Sequence, residues 1–213
     1  MTAPTVFRST ITGTVGALVA FLDQALVNGL GWTVAFTQTN GRAYRMAGGT
    51  RFYLQVLDNG ESAAGANEAR IRGYEAMDSM SGGTGLFPTV AQVSTGLTVR
   101  KSATKDNTTR TVILIGDDRG FYLLVQSGDF SARYHCTYFG DVGSKKTGGD
   151  GYACVLVGRQ TENSATETYD YLPTLVNAAS AAATAGHYLA RNVQGQGTAI
   201  GFAKGANYTR RNQ

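Results

Sequence analysis

The side chains of this chain that could carry chemistry are few, and their spacing can be checked against the known requirements. The stretch Gly116-Asp117-Asp118-Arg119-Gly120 places two carboxylates side by side, where they could bind a hard cation through oxygen or relay a proton. The competing reading is a tight turn, in which an Asp accepts a hydrogen bond from its own backbone two residues on and Arg119 stands by as a partner. The turn reading is preferred. Asp141 and Asp150 flank a glycine-rich loop, but no D-x-D-x-D-G register with a closing Glu follows, which excludes an EF-hand. Zinc would need clustered His and Cys. Only His135, His187, Cys136 and Cys154 are present, with no C-x-x-C or H-x-x-x-H spacing. His135 and Cys136 are adjacent, so on a strand they face opposite ways. No G-x-S-x-G elbow occurs, and a Cys136–His187 pair remains as the one nucleophile–base combination to consider. Gly143-Ser144-Lys145-Lys146-Thr147 lacks the leading glycine of a phosphate loop, and Gly195-Gln196-Gly197 has no strand–helix unit after it. The expectation is a chain with no catalytic, cofactor-binding or metal-binding residues, and not an enzyme.

The two cysteines lie in apolar, strand-like stretches. They read as buried thiols behaving as small hydrophobes, with a cross-strand disulfide as the alternative.

Composition narrows the class. Of 213 residues 42% are hydrophobic and 10% aromatic, too many for a disordered chain. Gly numbers 28 against 3 Pro, without a G-X-Y period, which suggests many tight turns between short strands. The formal charge is +4. The basic clusters, Arg70 with Arg72, Lys145 with Lys146 and Arg210 with Arg211, have no interleaved aromatics, so no specific nucleic-acid partner is expected. The longest apolar stretch, residues 15–22, is far short of the ~20 residues that span a bilayer. With no basic, apolar and small-residue leader pattern at the start, the chain is expected to be soluble and made in a cytoplasm.

These residues must be positioned by elements that the period of the sequence suggests. Residues 1–9 lack periodicity and read as an extended arm. Val15, Leu18, Val19, Leu22 and Leu26 follow helical spacing, predicting a helix over 14–28, capped by Thr12 or Thr14 and stopped by Asn28-Gly29 and Gly31. From Trp32 the period becomes two, with a hairpin at Asn40-Gly41. Further strands are predicted at 52–57, 69–77, 97–101, 111–115, 121–126, 132–139 and 152–157. Gly73 inside the fourth strand suggests a bulge or a close backbone approach. Residues 78–88 read as a loop, 178–185 as a short helix or packed segment, and 194–205 as a surface-lying tail. The fold class is therefore mainly β, sandwich or barrel-like and built of antiparallel hairpins, with one N-terminal α-helix and extended terminal arms. The division is an arm at 1–13, a helix plus β-rich core domain at 14–160, and a C-terminal extension at 161–213.

Several ordered blocks carry a resemblance. They are Leu26-Val27-Asn28-Gly29 with Trp32, Phe36 and Tyr44-Arg45; Phe52-Tyr53-Leu54 with Asp58; and Ala69-Arg70-Ile71-Arg72-Gly73-Tyr74-Glu75 with Gly82 to Phe87-Pro88. Gly116-Asp117-Asp118-Arg119 with Phe121-Tyr122-Leu123, then Tyr138-Phe139-Gly140-Asp141 and Gly149-Asp150, complete the set. Over roughly residues 14–160 the chain resembles a family of uncharacterised virion structural proteins of tailed bacteriophages. The resemblance implies a particle component located in the virion and assembled in the host bacterial cytoplasm.

The expected function is capsid decoration (cement) or a minor head role, stabilising the particle through contacts with other virion proteins, the major capsid protein foremost, and as a homo-oligomer. The alternatives are a tail or baseplate component, or a host receptor- or glycan-binding module using exposed Tyr, Phe and Trp32. No membrane partner is expected.

Overall fold

The computed structural model describes residues 3–58, 67–102, 107–126, 134–143, 152–159, 185–189 and 200–203. The chain opens with β1 (Thr5–Ile11) and α1 (Ala17–Leu22), which runs on as a π-helical stretch over Asp23–Gly29. Then come β2 (Thr33–Gln38), β3 (Gly41–Arg45), β4 (Tyr53–Leu57), β5 (Asn67–Tyr74) and the short β6 (Ala76–Met77) and β7 (Gly83–Thr84). These are followed by β8 (Leu97–Ser102), β9 (Arg110–Asp117), β10 (Gly120–Gln126), β11 (Tyr134–Gly143) and β12 (Tyr152–Arg159), and last by β13 (Ala185–Leu189) and β14 (Ile200–Ala203). All but β6 and β7 join one sheet in the order β1-β9-β10-β11-β12-β8-β5-β4-β3-β2, with β13 added to β12 and β14 to β13. Every pairing is antiparallel, so the mainly-β expectation with a single N-terminal helix describes the molecule.

The apolar spacing of the helix is realised, since Leu18, Val19, Leu22 and Leu26 are all buried. Its start differs from the expectation. Val15 precedes the helix and is exposed, and the N-cap is Gly16, with no side-chain cap from Thr12 or Thr14. Those two hydroxyls bond each other at 2.6 Å instead. The capping acceptor comes from forty residues away, because the Leu18 N–H donates to Asp58 Oδ2 at 2.8 Å. At the other end Gly31 takes φ +73°, and the Trp32 N–H returns to the Leu26 carbonyl at 2.9 Å, which stops the helix as expected.

The segment read as an N-terminal arm is extended, and its partner is this chain's own β9, in register from Thr5↔Gly116 to Ile11↔Arg110. The C-terminal extension likewise supplies β13 and β14 to the sheet through β12, and only β14 falls within the segment 194–205 read as a surface-lying tail. The strand expected over 69–77 breaks at Glu75 into β5 and β6, and β6 pairs with β7 inside the segment read as a loop. The hairpin expected at Asn40-Gly41 has Thr39 and Asn40 as its turn residues, with Asn40 at φ +54° and Gly41 already on the return strand. The turns placed at 59–60 and 106–107 fall wholly or partly outside the described residues, as do the segments 178–184 and 194–199.

Two halves make the core. The β1-β9-β10-β11-β12 and β8-β5-β4-β3-β2 halves are linked at β12 and β8 by one register pair, Arg159↔Thr98. Residues of both halves and of the helix form a single buried cluster. Trp32, at the entry to β2, packs edge-on against Phe121 of β10 and Phe139 of β11, with ring centroids 5.7 and 6.0 Å away. Phe139 stacks in turn on Phe87. Phe87 lies against Gly73 in a two-way backbone bridge, both N–H···O distances being 2.8 Å, and a Cβ at Gly73 would come within 2.2 Å of the ring. The glycine is there for close approach, the second of the two readings its position allows. Every residue of β8 is buried, including Arg100, Lys101 and Ser102.

Candidate functional site

The acidic turn is the first place to look. β9 and β10 are joined by the two residues Asp118 and Arg119, and Asp117 pairs with Gly120. The Arg119 N–H donates to Asp117 Oδ1 at 2.8 Å, the local bond expected of an Asp in a turn. The carbonyl of Asp117 accepts the Trp32 indole N–H at 3.0 Å, and that of Asp118 accepts the Gly48 N–H at 2.8 Å. Asp141 belongs to the same corner. Its N–H donates to the Arg119 carbonyl at 2.9 Å, and its carboxylate accepts both the backbone N–H and the hydroxyl of Thr50. Burial pushes the Asp141 carboxyl above its usual range, while the two Thr50 bonds and Arg119 pull the other way. Three aspartates thus gather at one corner: Asp118 and Asp141 hold the loop between β3 and β4, while Asp117 closes its own turn and receives Trp32. Among the described residues no group of three or more His, Cys, Asp or Glu side chains is arranged to hold a metal ion.

The thiols and histidines are kept apart by register. Cys154 lies opposite Asp141, five positions along β11 from Cys136, or about 17 Å at ~3.3 Å per residue, well beyond the ~7 Å Cα limit of a disulfide. Both cysteines are buried and free. Burial raises Cys136 to about 11 and pushes Cys154 well up as well. His135 is buried and accepts the Arg100 N–H on Nδ1 at 3.0 Å. His187 is in register with Val157, so β12 stands between it and Cys136's strand. The Cys136–His187 combination is therefore not brought together by adjacent strands. Arg70 and Arg72 are engaged internally: Arg70 pairs with buried Glu68 at 3.1 Å and donates to Thr98 Oγ1, and Arg72 donates to the Ser94 carbonyl. Trp32 is 1% exposed and is unavailable to a surface ligand. Asp150, Lys145, Lys146, Gly195, Gly197, Arg210 and Arg211 lie outside the described residues.

The most chemically unusual group was not singled out by the spacing arguments. Lys101 on β8 and Asp58, which follows β4, are both fully buried and in contact through Nζ and Oδ1. Lys101 also donates to the Thr14 carbonyl. Burial lowers the lysine pKa, and Asp58 opposes that shift. The sequence does carry a signal, because Leu97, Val99 and Lys101 share one phase of the strand and a lysine sits where an aliphatic residue should. A second polar anchor lies beneath the helix, where the Tyr44 hydroxyl donates to Asp23 Oδ1 at 2.8 Å and Arg42 pairs with the same carboxylate at 3.4 Å.

The outer face of the first half-sheet is different in character. Val6, Ile115 and Tyr122 stand in one cross-strand row on β1, β9 and β10, and are 51%, 36% and 50% exposed. The row continues to Tyr138, whose ring centroid lies 4.6 Å from that of Tyr122. No helix among the described residues is long and apolar enough to cross a membrane. Comparison with protein-family models, with curated proteins and with solved structures gives no match to this chain.

Proposed function

We propose that the chain is a structural protein of a tailed-bacteriophage virion, acting as a capsid decoration or minor head protein that stabilises the particle through protein–protein contacts. Its partners are other virion proteins, the major capsid protein first among them, and further copies of itself. The observation that carries this reading is the exposed row Val6–Ile115–Tyr122 on a sheet whose other face is a closed core. Aliphatic and aromatic side chains lined up on a stiff surface suit a contact that buries area between neighbours. The family resemblance over residues 14–160 supports the same reading. The acidic corner adds to it, since the Asp141 carboxylate ties the loop after β3 to β11.

Copy number tests the assignment. A stained gel of purified particles should show this chain at a stoichiometry comparable to that of the shell protein. A few copies per particle would instead place it in the tail or baseplate, and absence from purified particles would refute a virion role. The second reading, a glycan-binding module, draws on the Tyr122–Tyr138 ring pair alone. It requires that Tyr122→Ala abolish binding to host-surface polysaccharide.

A further inference from the structure

Asp58 and Lys101 form a buried pair whose hydrogen bonding fits a different covalent state better than two ions. Asp58 Oδ2 accepts the Leu18 N–H at 2.8 Å, while Oδ1 meets Lys101 Nζ. The ammonium has three protons and, among the described residues, two acceptors: Asp58 Oδ1 and the Thr14 carbonyl. Neither side chain has any solvent exposure. Lys101 is in step with Val99 on β8, and Asp58, just past the end of β4, is in step with Val56.

We propose that Asp58 and Lys101 condense to an intramolecular isopeptide bond. The bond that forms joins Lys101 Nζ to Asp58 Cγ, and the bond that breaks is Cγ–Oδ1. The pair holds every atom the step needs. Of the three ammonium protons, one stays on the new amide nitrogen and two leave with Oδ1 as water, so charge and atoms balance without an oxidant, a reductant or another co-reactant. Proton transfer from Nζ to the carboxylate first gives a neutral amine beside a neutral acid. Burial favours that state, because it penalises both charges at once. The Leu18 N–H is already directed at the oxygen on which negative charge develops when the amine attacks. Afterwards the amide leaves nothing unsatisfied: its carbonyl oxygen keeps the Leu18 N–H, and its single N–H keeps the Thr14 carbonyl. In water the separated ions win because they are hydrated, and here that hydration is removed. The link would tie the end of β4 to β8 and enclose β5 in a covalent loop, fixing the seat of the helix N-terminus.

The test is the intact mass of the purified full chain under denaturing, reducing conditions. The expected mass is one water below that of the linear sequence. Digestion should give a branched peptide containing both Asp58 and Lys101, with no tryptic cleavage after Lys101. Lys101→Arg and Asp58→Ala should restore the linear mass. A wild-type chain at the linear mass overturns the proposal. So does a water loss that persists in Lys101→Arg, or that maps to a single unbranched peptide, since either assigns it to cyclisation of the Asp58-Asn59 backbone. If neither variant folds, the presence or absence of the branched peptide from the wild-type chain decides.

Discussion

Thr50 holds both oxygens of the Asp141 carboxylate, its N–H donating to Oδ2 at 2.9 Å and its hydroxyl to Oδ1 at 2.6 Å. Ninety-one residues separate the two in sequence, and the contact fastens the loop after β3 to β11. Thr50→Val keeps the shape and the backbone bond while removing the hydroxyl. Because hydrogen bonds to charged groups contribute about 1.5–3 kcal/mol, the variant should lose about 1.5 kcal/mol in a denaturant titration. Thr50→Ser should lose much less. Equal losses in the two variants would show that the hydroxyl contributes nothing.

Gly73 and Phe87 should behave as a coupled pair. A methyl at Gly73 would come within 2.2 Å of the ring of Phe87, which is fully buried. Overpacking of this kind costs about 1–3 kcal/mol. Phe87→Leu alone leaves a gap, yet combined with Gly73→Ala it should destabilise by less than the sum of the two. A double-mutant cycle of thermal unfolding measures the difference.

The thiols should be silent in the native protein. A thiol reagent should label neither Cys136 nor Cys154 until the chain unfolds, and then label both. Their ionisation gives stability a defined dependence on pH. The Cys136 thiol ionises near 9.0 in the unfolded chain and at about 11 in the folded one. Between those values the folded state binds more protons than the unfolded state, so the Cys136 contribution to stability falls as pH rises through that window and is fully present below it. Cys136→Ala should flatten that part of the pH–stability curve. A slope unchanged by the substitution would assign the effect to other groups.

The exposed row separates folding from assembly. Tyr122→Ser and Ile115→Lys alter side chains that stand on the outer face of the sheet, and should shift stability by no more than about 0.5 kcal/mol. Under the proposed virion role they should nonetheless reduce incorporation into particles, scored by the band of this chain in purified virions. Normal incorporation of both variants would remove this face from the contact.

The sequence was most informative where a local rule acts alone. Leu18, Val19, Leu22 and Leu26 announce a buried helical face, and Asp117 announces its own turn bond to Arg119. It was silent where the partner lies far along the chain. Thr12 and Thr14 are good capping residues by type, but the cap is Asp58, whose role depends on β4 ending beside the helix. Residues 1–9 show no period because an edge strand with most of its side chains exposed does not need one, and β9 completes it across more than a hundred residues. Trp32 looks available at the start of a strand, and only the meeting of the two half-sheets shows that Phe121 and Phe139 enclose it. Lys101 was legible in principle as a lysine in an apolar phase; its partner was not.

The pairing of β1 with β9 also sets an order of events during synthesis. Thr5–Ile11 is made well before its partner, Arg110–Asp117, which does not yet exist when the earlier strand leaves the ribosome. Through that interval β2, β3, β4 and β5, each paired with its neighbour in sequence, can form one after another. The first strand must wait with its backbone donors and acceptors unpaired. Its polar, mostly exposed side chains (Thr5, Arg8, Ser9 and Thr10 among them) keep that waiting segment soluble until β9 arrives.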